Sequence, residues 1–242
     1  MTPSSQRSRR QFLLAATATG TGLLAAGASG IGEAGQPVPP SKGAAQAAED
    51  IAPPEDLMRE HGVLNRILLI YDACLERLRG RNPLGPAPLV GAAKILRTFI
   101  EGYHEKLEED HLFPRFEKAG KLVDLVKVLR EQHQVGRQLT DDILRLATPA
   151  TLNDAQGAKA LARPIVQFTR MYRPHAARED TVLFPALRGL MTAKEFDQMG
   201  DQFEDREHQL FGEHGFEDIV AQVAGFEKML GIYELGQFTA RA

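Results

Sequence analysis

A polar pattern occurs twice in this chain, with 71 or 72 residues between its copies, and it severely limits the possible folds. Each copy contains a His, then a His followed four residues later by a Glu, then a Phe-Pro pair. The corresponding residues are His61, His104, Glu108 and Phe113-Pro114 in the first copy, and His133, His175, Glu179 and Phe184-Pro185 in the second. An internal repeat of this kind indicates that one supersecondary unit is used twice.

Apolar residues recur with helical periodicity around these polar positions. In the first segment they fall at alternating steps of four and three on the face that carries His61: Leu57, Leu64, Leu68, Tyr71, Leu75 and Leu78. Four long helices are predicted in this way, at about 53–80, 88–118, 122–147 and 155–190, and two shorter ones at about 193–211 and 216–230. Long helices with short connections favour an all-α, up-down four-helix bundle of two repeated hairpins, with additional C-terminal helices outside it.

Composition agrees with packed helices and excludes several classes of function. Hydrophobic residues make up 43% of the chain, which is enough to bury a sizeable core. The formal charge is -3 and no basic run follows the N-terminus, so nothing indicates a nucleic-acid surface. The single cysteine, Cys74, excludes an internal disulfide, and its place near the apolar face of the first helix predicts a small core residue.

The N-terminus has the pattern of an export signal. The sequence Ser8-Arg9-Arg10-Gln11-Phe12-Leu13 resembles a twin-arginine motif, and the weakly apolar stretch after it is too short and too polar for a membrane anchor. We expect a twin-arginine signal peptide at 1–28, a flexible leader at 29–52, the bundle at 53–190 and a helical extension at 191–242. The mature protein is predicted to be periplasmic or extracellular, without a membrane anchor, after transport by the twin-arginine export machinery.

The repeated polar residues lie on helical faces that are otherwise apolar. His104 and Glu108 are four residues apart, as are His175 and Glu179, so each pair lies on one face of its helix. An unpaired imidazole or carboxylate in a core is costly, or it becomes neutral. Antiparallel packing of the hairpins about a pseudo-twofold axis would bring these side chains to the bundle centre, where shared metal ions would satisfy them.

The chemistry of this set favours two iron ions. Carboxylates can bridge two first-row transition ions while imidazoles bind their outer sides. Zinc needs only four ligands and calcium prefers more oxygens, so iron fits best. The predicted cofactor is therefore two non-haem iron ions, with the ligands His61, His104, Glu108, His133, His175 and Glu179.

At these residues the chain resembles the hemerythrin-like family, the HHE cation-binding domains, over roughly residues 55 to 190. The resemblance implies that the six residues are the ligands of a di-iron centre and that Glu108 and Glu179 bridge its ions. One position departs from the oxygen-carrying hemerythrins, which have His-x-x-x-His on the third helix, because Arg137 follows His133 here. This departure predicts a more symmetric site with an open coordination position, and chemistry other than reversible oxygen carriage.

Several neighbouring polar residues are secondary candidates. His111 lies about 10 Å along the helix axis from His104, at a rise of about 1.5 Å per residue, so we expect it to support the site or the core from outside. Glu105 is predicted to be exposed, with a terminal metal ligand as the alternative. Glu101 and Tyr172 are predicted to accept or donate hydrogen bonds at ligating histidines.

Two further features lie outside the ligand pattern. His208 and His214 follow the repeat and are predicted to be surface residues, with a separate weak metal site as the alternative. The two Phe-Pro pairs are predicted to be structural, each proline kinking or tightening the helix just beyond the metal.

The predicted function is to bind or react with O2, NO or peroxide at a di-iron centre in the cell envelope. An iron-binding sensor, storage or interaction module without turnover is the alternative, and the pattern does not decide whether the protein is an enzyme. A ferritin-like oxidase is disfavoured because that group uses more carboxylates than imidazoles, and here four His accompany two Glu. The chain has no Gly-rich phosphate loop, no nucleophile elbow and no Cys-x-x-Cys-His motif for haem.

Overall fold

The computed structural model describes residues 51–240, and every regular element in that part of the chain is helical. This confirms the all-α fold predicted from the sequence. The predicted signal peptide and residues 29–50 of the predicted leader lie outside the described residues. Of the described helices, none is long and apolar enough to cross a bilayer.

The described helices are numbered α1 to α7 in chain order. Their bounds are α1, Pro53–Gly80; α2, the consecutive segments from Ala87–Ile95 to Phe113–Ala119; α3, Val123–Leu146; α4, Pro149–Asn153; α5, Ala155–Arg178 with its continuation to Phe184–Leu187; α6, Ala193–Phe211; and α7, Gly215–Leu230. The predicted bounds of the long helices agree to within a few residues. The short helix α4 was not predicted, because its sequence reads as a turn between α3 and α5.

Local sequence explains where several helices begin and end. α1 begins with Pro53. Proline lacks a backbone N–H, which costs nothing here because N–H groups in a first turn have no acceptor within the helix. The acidic residues Glu55 and Asp56 of the same turn interact favourably with the positive end of the helix dipole. The chain leaves α2 through Gly120, whose φ of 62° lies in the left-handed region that glycine adopts without strain. Asp154 caps α5 by accepting a hydrogen bond from the backbone N–H of Gly157 at 2.6 Å.

Both helices that carry a Glu of the pattern widen into π-helical turns at that Glu. The segments Glu108–Leu112 in α2 and Glu179–Leu183 in α5 are π-helical, and each ends directly before a Phe-Pro pair. Such turns are rare and are frequent at functional sites. The helix thus widens directly before each proline, and beyond Pro185 it ends in a tighter 3-10 turn, Arg188–Leu190, as the predicted tightening of the helix end requires.

The long helices pack around one core. α5 packs against α1 and α3, and α2 also packs against α1 and α3. α6 and α7 pack on the outside of α1, and α7 also contacts α2, which confirms the predicted place of the C-terminal helices. Cys74 is fully buried, and burial raises the pKa of its thiol to about 12, as expected of a core cysteine.

Candidate metal centre

The six side chains predicted to be metal ligands meet inside the bundle. None of them is more than 4% exposed. They form two clusters, in each of which the potential ligand atoms lie within 4.8 Å of one another. The contributions are His61 from α1, His104 and Glu108 from α2, His133 from α3, and His175 and Glu179 from α5.

The imidazoles form two pairs, which define two halves of the site. In half A, Nε2 of His61 and Nε2 of His104 are 3.0 Å apart. In half B, Nε2 of His133 and Nε2 of His175 are 3.3 Å apart. Two nitrogens that bind one ion at about 2.1 Å, at a right angle to each other, lie about 3.0 Å apart. Each pair is therefore spaced as two ligands of one ion.

The two carboxylates lie between these halves. Oε1 of Glu108 is 3.6 Å from Nε2 of His104 in half A, and its Oε2 is 3.4 Å from Nε2 of His133 in half B. Oε2 of Glu179 lies 3.4 Å from Nε2 of His61 and 3.0 Å from Nε2 of His175. Since each carboxylate approaches both halves, both have the position of a bridging ligand.

Protein groups alone leave these carboxylates incompletely satisfied. Among the described residues, none of their four oxygens accepts a hydrogen bond, which is costly for buried carboxylates. Burial raises the pKa of Glu108 well above its usual range, and the nearby Glu179 raises it further. Burial acts in the same direction on Glu179, but the imidazoles of His175 and His61 outweigh it and lower that pKa. Two cations would allow both carboxyls to be ionised, so these residues fit a two-metal centre.

In half A, each imidazole turns its other nitrogen towards a carboxylate outside the centre. Nδ1 of His61 lies 2.7 Å from Oδ1 of Asp180. Nδ1 of His104 lies 2.7 Å from Oε2 of Glu60. An imidazole that binds metal through Nε2 carries its hydrogen on Nδ1 and donates it to such an acceptor, which orients the ring.

In half B, the corresponding acceptors are one carboxylate and one amide. Nδ1 of His133 lies 3.1 Å from Oε1 of Glu109, and Nδ1 of His175 lies 2.9 Å from Oε1 of Gln132. Glu109 belongs to the first hairpin and serves a His of the second, just as Asp180 of the second hairpin serves a His of the first. This reciprocal exchange is what a pseudo-twofold axis between the hairpins produces.

The Phe of each Phe-Pro pair packs on an imidazole of the other hairpin. Phe113 stacks on His133 with ring centroids 5.5 Å apart and planes inclined by 26°. Phe184 stacks on His61 at 5.4 Å and 22°. The Phe-Pro pairs were predicted to be structural, and the structure adds that their rings restrict the orientation of two candidate ligands.

Glu105 is buried, which corrects the prediction that it is exposed. It is 1% exposed, and it accepts hydrogen bonds from the hydroxyl of Tyr172 at 2.5 Å and from Nη2 of Arg137 at 2.8 Å. The same Nη2 lies 2.7 Å from Oε1 of Glu109. Burial raises the pKa of Glu105 to about 7, although the hydrogen bond from Tyr172 and the charge of Arg137 oppose the rise. Arg137 thus places a positive charge between two carboxylates beside half B.

The sequence predicted that Glu101 and Tyr172 form hydrogen bonds with ligating histidines, but both side chains have other partners. The hydroxyl of Tyr172 donates to Glu105, although its ring contacts that of His175 at 5.1 Å. Glu101 accepts a hydrogen bond from the hydroxyl of Thr140, and its Oε2 lies 2.7 Å from Nη1 of Arg97. The prediction is wrong because partners on α2 and α3 are closer to these two side chains.

The other histidines lie apart from the centre. His111 is half-buried and contacts Phe203 edge-on at 5.6 Å, in agreement with its predicted place outside the ligand set. His214 is exposed as predicted, whereas His208 is half-buried. Within residues 51–240, neither belongs to a cluster of potential metal ligands.

Sequence reasoning missed the four acceptors behind the imidazoles. Each of them is the immediate chain neighbour of a candidate ligand: Glu60 and Gln132 precede a His, and Glu109 and Asp180 follow a Glu. The signal was present in the repeat, because both copies have a polar residue at each of these positions.

Comparisons with known proteins agree with this geometry. The profile of the hemerythrin HHE cation binding domain matches residues 52–187 and, in an overlapping match, residues 124–230. An uncharacterized protein of Mycobacterium bovis and one of Mycobacterium tuberculosis are each 48% identical over 235 residues, which cover 95% of this chain and 90% of the relative. No solved structure matches the chain. Because the profile matches more than half of the chain, including every candidate ligand, the chain belongs to the hemerythrin HHE cation-binding family.

Proposed function

We propose that this chain is a non-haem di-iron protein that binds or reacts with O2, NO or peroxide. The observation that carries the proposal is the position of Glu108, whose two oxygens approach separate imidazole pairs. A site for one ion does not require a carboxylate divided in this way. A ligand set of imidazoles and carboxylates without thiolate suits iron.

The chain's own residues restrict what can reach this centre. Every proposed ligand is nearly inaccessible, and Phe113 and Phe184 pack on two of the imidazoles. Bound iron would supply redox chemistry and attraction for small ligands, and the burial of every proposed ligand favours small molecules over large ones. Tyr172 and Arg137 both donate hydrogen bonds to Glu105 beside half B, so polar groups lie near that half.

The same burial also favours the second candidate, an iron-holding sensor, storage or interaction module without turnover. A centre with little access to solvent protects its ions from exchange as effectively as it selects small ligands. The C-terminal helices α6 and α7 would then provide a surface for a partner. The two functions differ in one observable, which is whether the loaded centre changes when peroxide or NO is added.

Anaerobic loading of the metal-free protein with Fe(II) tests both functions. We expect about two iron ions per chain by elemental analysis, followed by peroxide consumption or an NO-dependent absorption change in stopped flow. Glu131→Ala, on the exposed side of α3, is the control for handling and folding. One zinc ion, or no metal after loading, would contradict the di-iron proposal. Two ions without a response to either reagent would favour the iron-holding module.

We further propose that the protein acts in the cell envelope. The proposal rests on the twin-arginine pattern, in which Arg9 and Arg10 are the defining pair. Replacing both by Lys should retain the protein inside the cell, as measured by fractionation of the producing bacterium. Unchanged export of that variant would contradict routing by the twin-arginine machinery.

A further inference from the structure

The two halves of the centre have different acceptors behind their imidazoles. In half A, both outer nitrogens face carboxylates, Asp180 and Glu60, at 2.7 Å each. In half B, one faces the carboxylate of Glu109 at 3.1 Å and the other faces the amide oxygen of Gln132 at 2.9 Å. Gln132 has the same place in the second copy of the pattern as Glu60 in the first. One position of the repeat thus has a carboxyl group behind an imidazole in half A and an amide in half B.

The carboxylates beside half B share their charge with two cations. The carboxylate of Glu105 lies 2.8 Å from Nη2 of Arg137. Glu109 lies 2.7 Å from Nη2 of Arg137 and 2.6 Å from Nζ of Lys106. Glu60 in half A lies beside two further acidic side chains, Asp56 and Glu207. Nη1 of Arg59 lies 3.8 Å from Oδ1 of Asp56. Half A therefore has more carboxylates around it than half B.

Burial determines how strongly each of these charges acts. Glu60 is 0% exposed, so water screens its charge weakly. The side chain of Asp180 is 31% exposed, which weakens its effect on half A. Glu60 and Gln132 are consequently the pair that distinguishes the two halves most.

An acceptor behind a ligating imidazole acts on the ion through the ring. A carboxylate that accepts the Nδ1 hydrogen makes Nε2 more basic, and its charge attracts the cation directly. An amide oxygen orients the ring in the same way but supplies no net charge. Loss of such a partner costs about tenfold to a hundredfold in metal affinity.

We propose that the two halves bind metal unequally, that half A fills first, and that the difference between Glu60 and Gln132 sets the order. Glu60 and Gln132 are thus positioning residues, which act on the ions through His104 and His175. The inference rests on the proposed two-ion centre, but it does not depend on iron or on any reaction with O2, NO or peroxide.

Titration of the metal-free protein with Co(II), in competition with a chelator of known affinity, tests this inference. The wild-type protein should take up two ions per chain in two steps whose affinities differ by about tenfold or more. Failure to bind two ions would contradict the proposed centre itself. Two ions bound with equal affinity would agree with the proposed two-ion centre but contradict the inference that its halves bind metal unequally.

Two isosteric substitutions assign the steps. Glu60→Gln should weaken the first step by about tenfold to a hundredfold and bring the two affinities together. Gln132→Glu should raise the metal affinity of the second step and so reduce the difference between the two affinities. Gln132→Glu tests the proposal even if Glu60→Gln does not fold, because it adds a carboxylate at a partly exposed position instead of removing one from the core.

A matched control and the exchanged pair complete the experiment. Glu131→Gln removes the same charge from the exposed residue next to Gln132 and should change neither step. The double variant with Glu60→Gln and Gln132→Glu should keep two unequal steps, now with half B filling first. Gln132→Glu without effect on either step, or Glu60→Gln acting on the second step alone, would overturn the inference.

Discussion

The first hairpin, α1 with α2, and the second, α3 with α5, supply equivalent ligands but differ in the polar residues around them. A shift of 71 residues relates Glu105 to Ala176, and a shift of 72 relates Arg137 to Asn65. Glu105 and Arg137 pair with each other beside half B, whereas their counterparts cannot form an ion pair beside half A. The ligand positions therefore follow the repeat, while the charges around them do not.

Tyr172 provides a second difference between the hairpins. Its counterpart in the first hairpin is Glu101, which has a different set of partners. A Cβ at Gly136 on α3 would lie 2.1 Å from the hydroxyl oxygen of Tyr172, so this hydroxyl is placed where only glycine leaves room. The counterpart of Gly136 is Leu64, which is buried in the core of α1. The two hairpins thus fill equivalent space with different chemistry, and each difference can be tested by substitution.

The largest expected effect comes from a residue that both halves share. Glu108→Leu should leave at most one ion per chain after iron loading, because each half loses the same bridging carboxylate. The metal-free variant should be more stable than the metal-free wild type by about 1–3 kcal/mol, since a buried carboxylate without hydrogen bonds is removed. Elemental analysis and thermal unfolding measure the two effects. A variant that still holds two ions would show that Glu108 does not bridge.

The next effect concerns the ion pair that only the second hairpin has. Arg137→Asn introduces the residue found at the equivalent position of the first hairpin. It should destabilise the metal-free protein by about 2–3 kcal/mol, because Glu105 and Glu109 lose a charged hydrogen-bond donor and the pKa of buried Glu105 rises further, so that it takes up a proton. Adding Glu105→Ala should recover part of this loss. Urea denaturation of the two single variants and the double variant gives the coupling. Strictly additive effects would mean that the pair contributes nothing.

A smaller effect is expected where the second hairpin makes room for Tyr172. Gly136→Ala should destabilise the protein by about 1–3 kcal/mol, because the added methyl group meets the tyrosine ring and hydroxyl. Gly62→Ala in α1 is the control, since beyond its chain neighbours and the adjacent backbone of α1 nothing lies within 4 Å of the added Cβ. It should stabilise the protein by about 0.5–1 kcal/mol. Thermal unfolding compares the two variants. Equal shifts in both would show that Tyr172 moves aside freely.

The smallest effect is expected outside both halves. His111→Ala should retain two ions and change any peroxide or NO reaction rate by less than about tenfold, or about 1.4 kcal/mol in barrier, because its ring contacts Phe203 away from the centre. Metal content and stopped-flow rates provide the measurement. Loss of iron as complete as in Glu108→Leu would make His111 a ligand and contradict the assignment of the halves.

Much of the fold and the six candidate ligands could be predicted because the information is local. Helical periodicity places His104 and Glu108 on one face whatever packs against them, and the repeat transfers the same argument to His175 and Glu179. Glu105 shows the limit of this reasoning. Its position on α2 does not reveal that Tyr172 and Arg137, from two other helices, cover it.

By itself, the sequence determined that this chain forms helices and that six imidazole and carboxylate side chains face inward, since both follow from spacing along one helix. It also determined that two hairpins repeat, because the same pattern recurs after 71 or 72 residues. Only the tertiary structure decided which side chains meet across the bundle. The pairing of His61 with Asp180, 119 residues away, depends on how α1 and α5 are aligned. The charge difference between Glu60 and Gln132 is written in the sequence, but it became meaningful only when packing placed each residue behind one imidazole.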